Sequence, residues 1–361
     1  MSSAHTSDAG APHIGTLAAG PRGSIADVYG VTVGHCTLAD GAVQTGVTVI
    51  HPHGGDPFVA KVPAAVSVIN GFGKSIGLVQ VEELGVLETP IALTNTFGVA
   101  ALAQAQIRAA IDANPRIGRE WSTVNPLVLE CNDGYLNDIQ ALAIGERHYN
   151  EACAAASVDV ASGSIGAGRG MSCFDLKGGI GNASRGVEVA GQLYTVGVLV
   201  LANFGRLPML TVDGVPLGRV LAERASHTAA AAVAKQPEQG SIIMIVATDA
   251  PLDARQLKRL SLRAAAGLAR TGSVYGHGSG DIALAFSTAY PVPHDADVVA
   301  LPPLLADARL DPLFRACADG VEQAIVDALW SATSVTGRDG QRRLSLRDTA
   351  ADLAQLLKKT S

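Results

Sequence analysis

The feature that most constrains this chain is the eight-residue run Ser241-Ile242-Ile243-Met244-Ile245-Val246-Ala247-Thr248. It follows directly on the polar stretch Lys235-Gln236-Pro237-Glu238-Gln239-Gly240. A short, uncharged apolar run of this kind predicts a strand buried on both faces, so its sheet must be covered above and below. Thirty-eight residues after Ser241, Gly278-Ser279-Gly280-Asp281 opens a second run, Ile282-Ala283-Leu284-Ala285-Phe286-Ser287. Between them Leu257, Leu260, Ala264 and Leu268 recur at helical spacing, with start signals in Thr248-Asp249-Ala250-Pro251 and a stop at Gly272. A strand–helix–strand unit in one sheet makes the two strands parallel, so both begin at the same edge. Ser241, Ser279 and Asp281 are thereby expected side by side. Taken alone, Gly-Ser before a strand is ordinary turn chemistry.

The rest of the chain reads as α/β. Strands are predicted over 25–35, 46–50, 64–70, 90–95, 126–131 and 194–203. Helices are predicted over 97–114, 216–235 and 320–333, with one more amphipathic helix near the end. Residues 1–24, rich in Ser, Ala, Gly and His, have neither a basic start nor an apolar core segment, and read as a disordered tail, not a signal peptide. At 361 residues the chain accommodates one large domain or two.

Several function classes are disfavoured. A net charge of −6 with no Lys/Arg stripe argues against nucleic acid. No apolar stretch approaches the ~20 residues of a membrane helix. His35, His51 and His53 lack a carboxylate or Cys nearby to complete a metal site. In Gly71-Phe72-Gly73-Lys74-Ser75 the first glycine of a phosphate loop is missing, with Val68 in its place. The glycine-dense stretch Ser162-Gly163-Ser164-Ile165-Gly166-Ala167-Gly168-Arg169-Gly170 places Met171 where a dinucleotide fingerprint needs its third glycine, and no helix is expected after it. No cofactor is therefore expected. The five cysteines are dispersed, with no CxxC pair, which reads as reduced thiols and a cytoplasmic setting.

Five motifs in order, Asn132-Asp133-Gly134-Tyr135-Leu136-Asn137-Asp138, Lys177-Gly178-Gly179-Ile180-Gly181, Val200-Leu201-Ala202-Asn203-Phe204-Gly205, Gln239-Gly240-Ser241 and Gly278-Ser279-Gly280-Asp281, resemble the DmpA family. That family comprises L-aminopeptidase/D-esterase enzymes and β-peptidyl aminopeptidases, peptidases of the S58 type that cut themselves to expose an N-terminal Ser. The resemblance runs from about Ile25 to Tyr290. It implies a four-layer αββα sandwich of the N-terminal-nucleophile-hydrolase type. Cleavage at Gly240–Ser241 would leave chains 1–240 and 241–361 intertwined in one domain spanning 25–361, assembled as a homo-oligomer, a tetramer. The implied substrates are short peptides, amides or esters with a free N-terminus.

The chemistry agrees with that outline. A Ser hydroxyl needs an adjacent base. The chain has no G-x-S-x-G elbow, and His277, the nearest histidine by motif, sits in an ordinary Gly276-His277-Gly278 loop. An N-terminal Ser carries its own base, an α-amine with a reference pKa near ~7.7–8.0. Gly240 would allow the strained backbone that attack on its carbonyl requires. The resemblance further implies Ser241 as nucleophile, Ser279 and Asp281 as groups polarising it, Asn203 as oxyanion-hole amide and Tyr135 beside the oxyanion. It implies Glu130 or Asp133 as receiver of the substrate ammonium and Lys177 as an aid to self-cleavage. The family often carries Glu where this chain has Asp281, one methylene shorter. Two alternatives stand beside this reading: a dinucleotide-binding oxidoreductase, and an unprocessed binding or assembly protein of the same fold.

Overall fold

The computed structural model describes residues 10–228 and 240–358. Two sheets lie face to face. The smaller is built from β1 (Thr32–Asp40), β2 (Val43–His51), β4 (Ile91–Asn95) and β5 (Val128–Cys131), in that spatial order. The larger takes β3 (Ala60–Gly71), β9 (Gly280–Ser287), β8 (Ser241–Thr248), β7 (Gln192–Asn203) and β6 (Gly179–Val189), in that order, with short strands added at β3. Period-two alternation divides each strand between two cores. Ile243, Ile245, Leu199, Leu201, Ile282 and Leu284 meet Val33, Ile50, Leu93 and Leu129 between the sheets. On the outer side of the large sheet, Ile242, Met244, Val246, Val198 and Val200 pack on α4 (Ala254–Arg270) and α5 (Asp311–Ser331). On the outer side of the small sheet, Val47, Val49 and Ala92 pack on α1 (Val99–Ala113) and α2 (Glu146–Ala154). The result is a four-layer αββα sandwich.

All eight residues of β8 are buried, as an apolar run with helices on one side and a sheet on the other requires. The β8–α4–β9 unit is parallel, with Ser241 opposite Gly280 and Thr248 opposite Ser287. α4 begins later than Pro251, at an N-cap Asp253 that accepts the N–H of Gln256 at 2.7 Å. α5 begins at Asp311, nine residues ahead of the position read from the sequence. The helix expected over 216–235 is α3 (Leu217–Thr228); the remainder of that span lies outside the described residues. Residues Ile25–Asp27 form a single 3₁₀ turn, so the first strand starts at Thr32. The last helix expected resolves into two separate turns, Leu346–Thr349 and Leu353–Leu356.

Two further expectations are corrected. Strand β6 was not anticipated, because its glycines look like loop. They are there for packing: a Cβ on Gly181 would lie 1.8 Å from the carbonyl of Ala324, so only glycine lets α5 ride on the strand. The tail expected over 1–24 is also wrong for residues 10–24. Ile14 is buried in the outer core, its N–H donates to Gln323 Oε1 at 2.8 Å, and its carbonyl accepts from buried Arg185 at 2.7 Å. Gly20 N–H likewise donates to Ser184 Oγ at 3.0 Å. Side chains of the body satisfy a backbone segment whose own composition gives no sign of it. Among the described residues no helix is long and apolar enough to cross a membrane.

Candidate active site

Three strand ends converge at one edge of the large sheet. Ser241 opens β8; it faces Asn203, the last residue of antiparallel β7, and Gly280, the first of parallel β9. Alternation puts Ser241 and Asn203 on the face of Ile243 and Leu201, between the sheets. Ser241 Oγ accepts the backbone N–H of Gly280 at 3.1 Å. That bond steadies charge building on the oxygen and leaves the hydroxyl proton to be given elsewhere. One residue back, Ser279 Oγ donates to Asp281 Oδ1 at 2.5 Å, with both residues buried. The expected juxtaposition of Ser241, Ser279 and Asp281 is present.

Gly240 is packed closely against the end of β7. A Cβ there would sit 2.6 Å from the carbonyl oxygen of Asn203 and 2.6 Å from Phe204 Cα. Close approach of the β7 end leaves no room for a side chain.

The Asn203 amide is fixed by two bonds of opposite sense. Its Oδ1 accepts the N–H of Ser172 at 2.8 Å and its Nδ2 donates to the carbonyl of Asn132 at 3.0 Å. A backbone donor and a backbone acceptor can be served only with the amide this way round, and one N–H remains to meet a ligand. Ser172 is carried on a tight hairpin (Ser172–Cys173 with Leu176–Lys177) whose turn residues Phe174 and Asp175 both have positive φ. Phe174 is held there by its N–H to the Phe204 carbonyl, 2.7 Å, and an edge-on contact of the two rings at 5.0 Å.

Lys177 stands behind this hairpin, not in the site. It is fully buried, and its Nζ donates to the carbonyls of Gly168, Met171 and Gly178 at 2.9, 2.8 and 2.7 Å. Three carbonyl oxygens thus surround it, and burial pushes its pKa well below the usual lysine range. Through these contacts Lys177 pins the loop that presents Ser172 to Asn203.

Ser241 and Asn203 open on a cavity of about 1040 Å³ that Glu130, Tyr135, Lys74 and Arg343 also line. Glu130 Oε1 accepts the N–H of Lys74 at 2.8 Å, and Oε2 accepts the Thr96 hydroxyl. Tyr135 is partly exposed, with the Arg343 guanidinium over its ring at 3.8 Å. Asp133, three residues beyond Glu130, is fully buried and does not line the cavity. It accepts Asn137 Nδ2 at 3.0 Å, and burial raises its pKa to about 6. Of the two carboxylates, Glu130 faces the cavity and Asp133 does not. Thr96, Ser172 and Arg343 were missed from the sequence. A hydroxyl, a backbone N–H and a lone arginine carry no local pattern.

The glycine-dense stretch forms one 3₁₀ turn at Gly166–Gly168 with no helix after it. A Cβ on Gly168 would lie 2.5 Å from the Ile180 nitrogen, so these glycines serve backbone packing, and the dinucleotide reading has no support.

The four-layer αββα sandwich is of the Ntn-hydrolase type. Residues 23–343 match peptidase family S58, and the chain belongs to that family. It is 39% identical to the β-peptidyl aminopeptidase BapA of Sphingosinicella microcystinivorans, over 98% of this chain and 91% of the relative. Among solved structures, the PH0078 protein of Pyrococcus horikoshii OT3 superposes with a TM-score of 0.88 at 46% identity, covering 95% of this chain and 96% of that one. The L-aminopeptidase D-Ala-esterase/amidase of Ochrobactrum anthropi, described as a prototype for the serine aminopeptidases and a variant of the Ntn hydrolase fold, gives 0.85 at 34%, covering 96% and 98%.

Proposed function

We propose that the chain is a self-processing serine aminopeptidase that removes N-terminal residues, α- or β-amino acids, from short peptides, amides or esters. The observation that carries the reading is Ser241 Oγ itself. It stands at a strand start immediately after a glycine, held by the Gly280 N–H, opposite an oriented amide and open to the cavity that contains Glu130. Ser241 Oγ attacks the Gly240 carbonyl, the peptide shifts from N to O, and water hydrolyses the ester to free residues 241–361. The new α-amine then takes the proton from its own hydroxyl as that oxygen attacks a substrate carbonyl. The Ser279–Asp281 pair stabilises the ammonium so formed, and the Asn203 N–H meets the oxyanion. Glu130 receives the substrate's free ammonium, which fixes the enzyme on N-terminal residues.

The cleaved halves would remain one domain, because β7 of one pairs with β8 of the other along eight residues. Unpaired cysteines are in keeping with a cytoplasmic setting. Exposed apolar side chains such as Val79 and Leu84 support assembly into a homo-oligomer.

The test is a denaturing gel with N-terminal sequencing. Purified protein should give two bands, the smaller starting Ser-Ile-Ile-Met, and Ser241→Ala should stay full length. Processed protein should hydrolyse free aminoacyl amides and not their N-acetylated forms. A Ser241→Ala protein that still cleaves, or equal rates on blocked and free substrates, would sink the reading.

A further inference from the structure

The cavity has a second charged wall. Among the described residues, Lys74, Arg206, Arg338 and Arg343 line it with two carboxylates, Glu130 and Asp175, in a chain whose net charge is −6. Positive charge is concentrated where the protein as a whole is acidic. Asp175 lies 3.2 Å from Arg206 Nη1 and 3.7 Å from Arg343 Nη2, so one carboxylate is shared between two guanidiniums.

Arg343 is the built part of this wall. It lies on a short hairpin (Val335–Thr336 with Arg342–Arg343) docked on the loop after β5, where Arg338 N–H donates to the Leu136 carbonyl at 2.8 Å and Arg338 Nε to the Gly134 carbonyl at 2.7 Å. The Leu344 carbonyl accepts the backbone N–H of Lys177 at 2.8 Å, which ties the hairpin to the Ser172 loop as well. The Arg343 guanidinium stacks on Tyr135 at 3.8 Å, and its Nε donates to Ser172 Oγ at 3.2 Å. The same Ser172 orients Asn203 through its N–H. Arg343 is therefore one residue removed from the oxyanion amide, mostly buried, with its plane fixed on two sides. No described residue hydrogen-bonds its Nη1. A guanidinium held this way offers a preset fork for a carboxylate.

Glu130 lies on the other side of Ser241. A Cβ on Gly73 would be 3.7 Å from Glu130 Oε1 and 4.0 Å from Gly280 Cα, which places Glu130 by the β9 edge. Asn203 and Arg343 stand on the β7 side. A peptide with its carbonyl at Ser241 and its ammonium at Glu130 must send its leaving residue toward the arginine wall.

We propose that Arg343, with Arg338 and Arg206 around it, recognises the free C-terminal carboxylate of the leaving residue, making the enzyme selective for very short peptides over amides and internal positions. This rests on the aminopeptidase reading above. A cavity of about 1040 Å³ is at the top of the ~300–1,000 Å³ range of small-molecule pockets, enough for such a peptide enclosed at both ends.

The test uses processed protein and three substrates with the same N-terminal residue: the aminoacyl-glycine acid, its C-terminal amide, and the aminoacyl-aspartyl amide, whose carboxylate is on the side chain. The expected kcat/KM for the acid exceeds that for the glycine amide about tenfold or more. Arg343→Gln should bring the ratio close to one, and Arg343→Lys, which keeps the charge and loses the fork, should leave an intermediate ratio. Because each ratio is taken within one protein, a general loss of activity in a variant does not disturb it. A wild-type ratio near one overturns the proposal whatever the variants do, as does an unchanged ratio in Arg343→Gln. Preference for the aspartyl amide over both glycine substrates overturns the C-terminal assignment. Turnover of the glycine amide with no acid preference refutes this inference alone; no turnover of any free-amine substrate refutes the aminopeptidase reading and this inference with it.

Discussion

Two parts of the site are built by different means. Ser241, Asn203, Ser279 and Asp281 stand at or beside strand ends of one sheet, and the ladder between β7, β8 and β9 places them. The cavity walls are assembled from elsewhere: Glu130 comes from β5 of the small sheet, while Tyr135 and Arg343 are placed by a loop and a hairpin docking over long sequence separations. A ladder fixes a position through many backbone hydrogen bonds at once, whereas a docked loop rests on a few side-chain contacts. The first suits chemistry that tolerates little displacement. The second suits recognition, where sequence can change without disturbing the nucleophile.

Substitutions on the two sides should separate along that line. The largest effect short of removing the nucleophile is expected from Asn203→Ala. It deletes the one amide held at the strand end, and losing an oxyanion donor lowers kcat by ~10²–10³ in comparable sites. KM should move much less, because the ground-state carbonyl demands less of that donor. Steady-state kinetics on a free aminoacyl amide would check it. A variant whose KM rises while kcat holds would place Asn203 with the walls and break the comparison.

Legibility in the sequence follows the same division. Ser241 and Asn203 bound unbroken apolar runs, so the start of one strand and the end of another mark the sheet edge without knowledge of the fold. Ser279 and Asp281 follow once the strand–helix–strand unit is read as parallel. Nothing comparable marks Arg343, whose partner Ser172 is 171 residues away. Strand β6 is hidden for a further reason: Gly181 answers to the helix crossing it and Gly179 to the backbone of Gly163, not to strand propensity. The three carbonyl partners of Lys177 are equally unmarked, since they come from loop backbone that no pattern announces.

On the wall side, Glu130→Gln should show the opposite kinetic pattern to Asn203→Ala. The amide can still accept from Lys74 N–H and donate to the Thr96 oxygen, so the wall keeps its shape. Only the charge facing the substrate ammonium is lost. A charge-assisted bond of about 1.5–3 kcal/mol corresponds to KM raised about 10–100-fold with kcat little changed. The selectivity against N-acetylated substrates should shrink by the same factor. If kcat falls instead, Glu130 belongs with the chemistry.

The smallest effect on turnover, and the sharpest contrast, is expected three residues away at Asp133. It shares a strand end with Glu130 but faces inward, fully buried, with Asn137 Nδ2 at 3.0 Å. Burial raises its pKa to about 6 from the ordinary 3.8. The sign is that of a carboxyl the fold prefers protonated. Its contribution to stability is fully present below about pH 4, where both states hold the proton, and is lost as pH rises through about 6. Asp133→Asn keeps the acceptor for Asn137 and cannot ionise. Relative to wild type it should therefore gain on the order of 2–3 kcal/mol in unfolding free energy between pH 4 and pH 7. Denaturant titrations of both proteins across that window would measure the gain, with kcat/KM followed alongside. A pH-independent difference would mean that Asp133 is already charged in the fold. A KM change as large as that of Glu130→Gln would mean that it, too, reaches the substrate, and that facing the cavity is not what separates the two carboxylates.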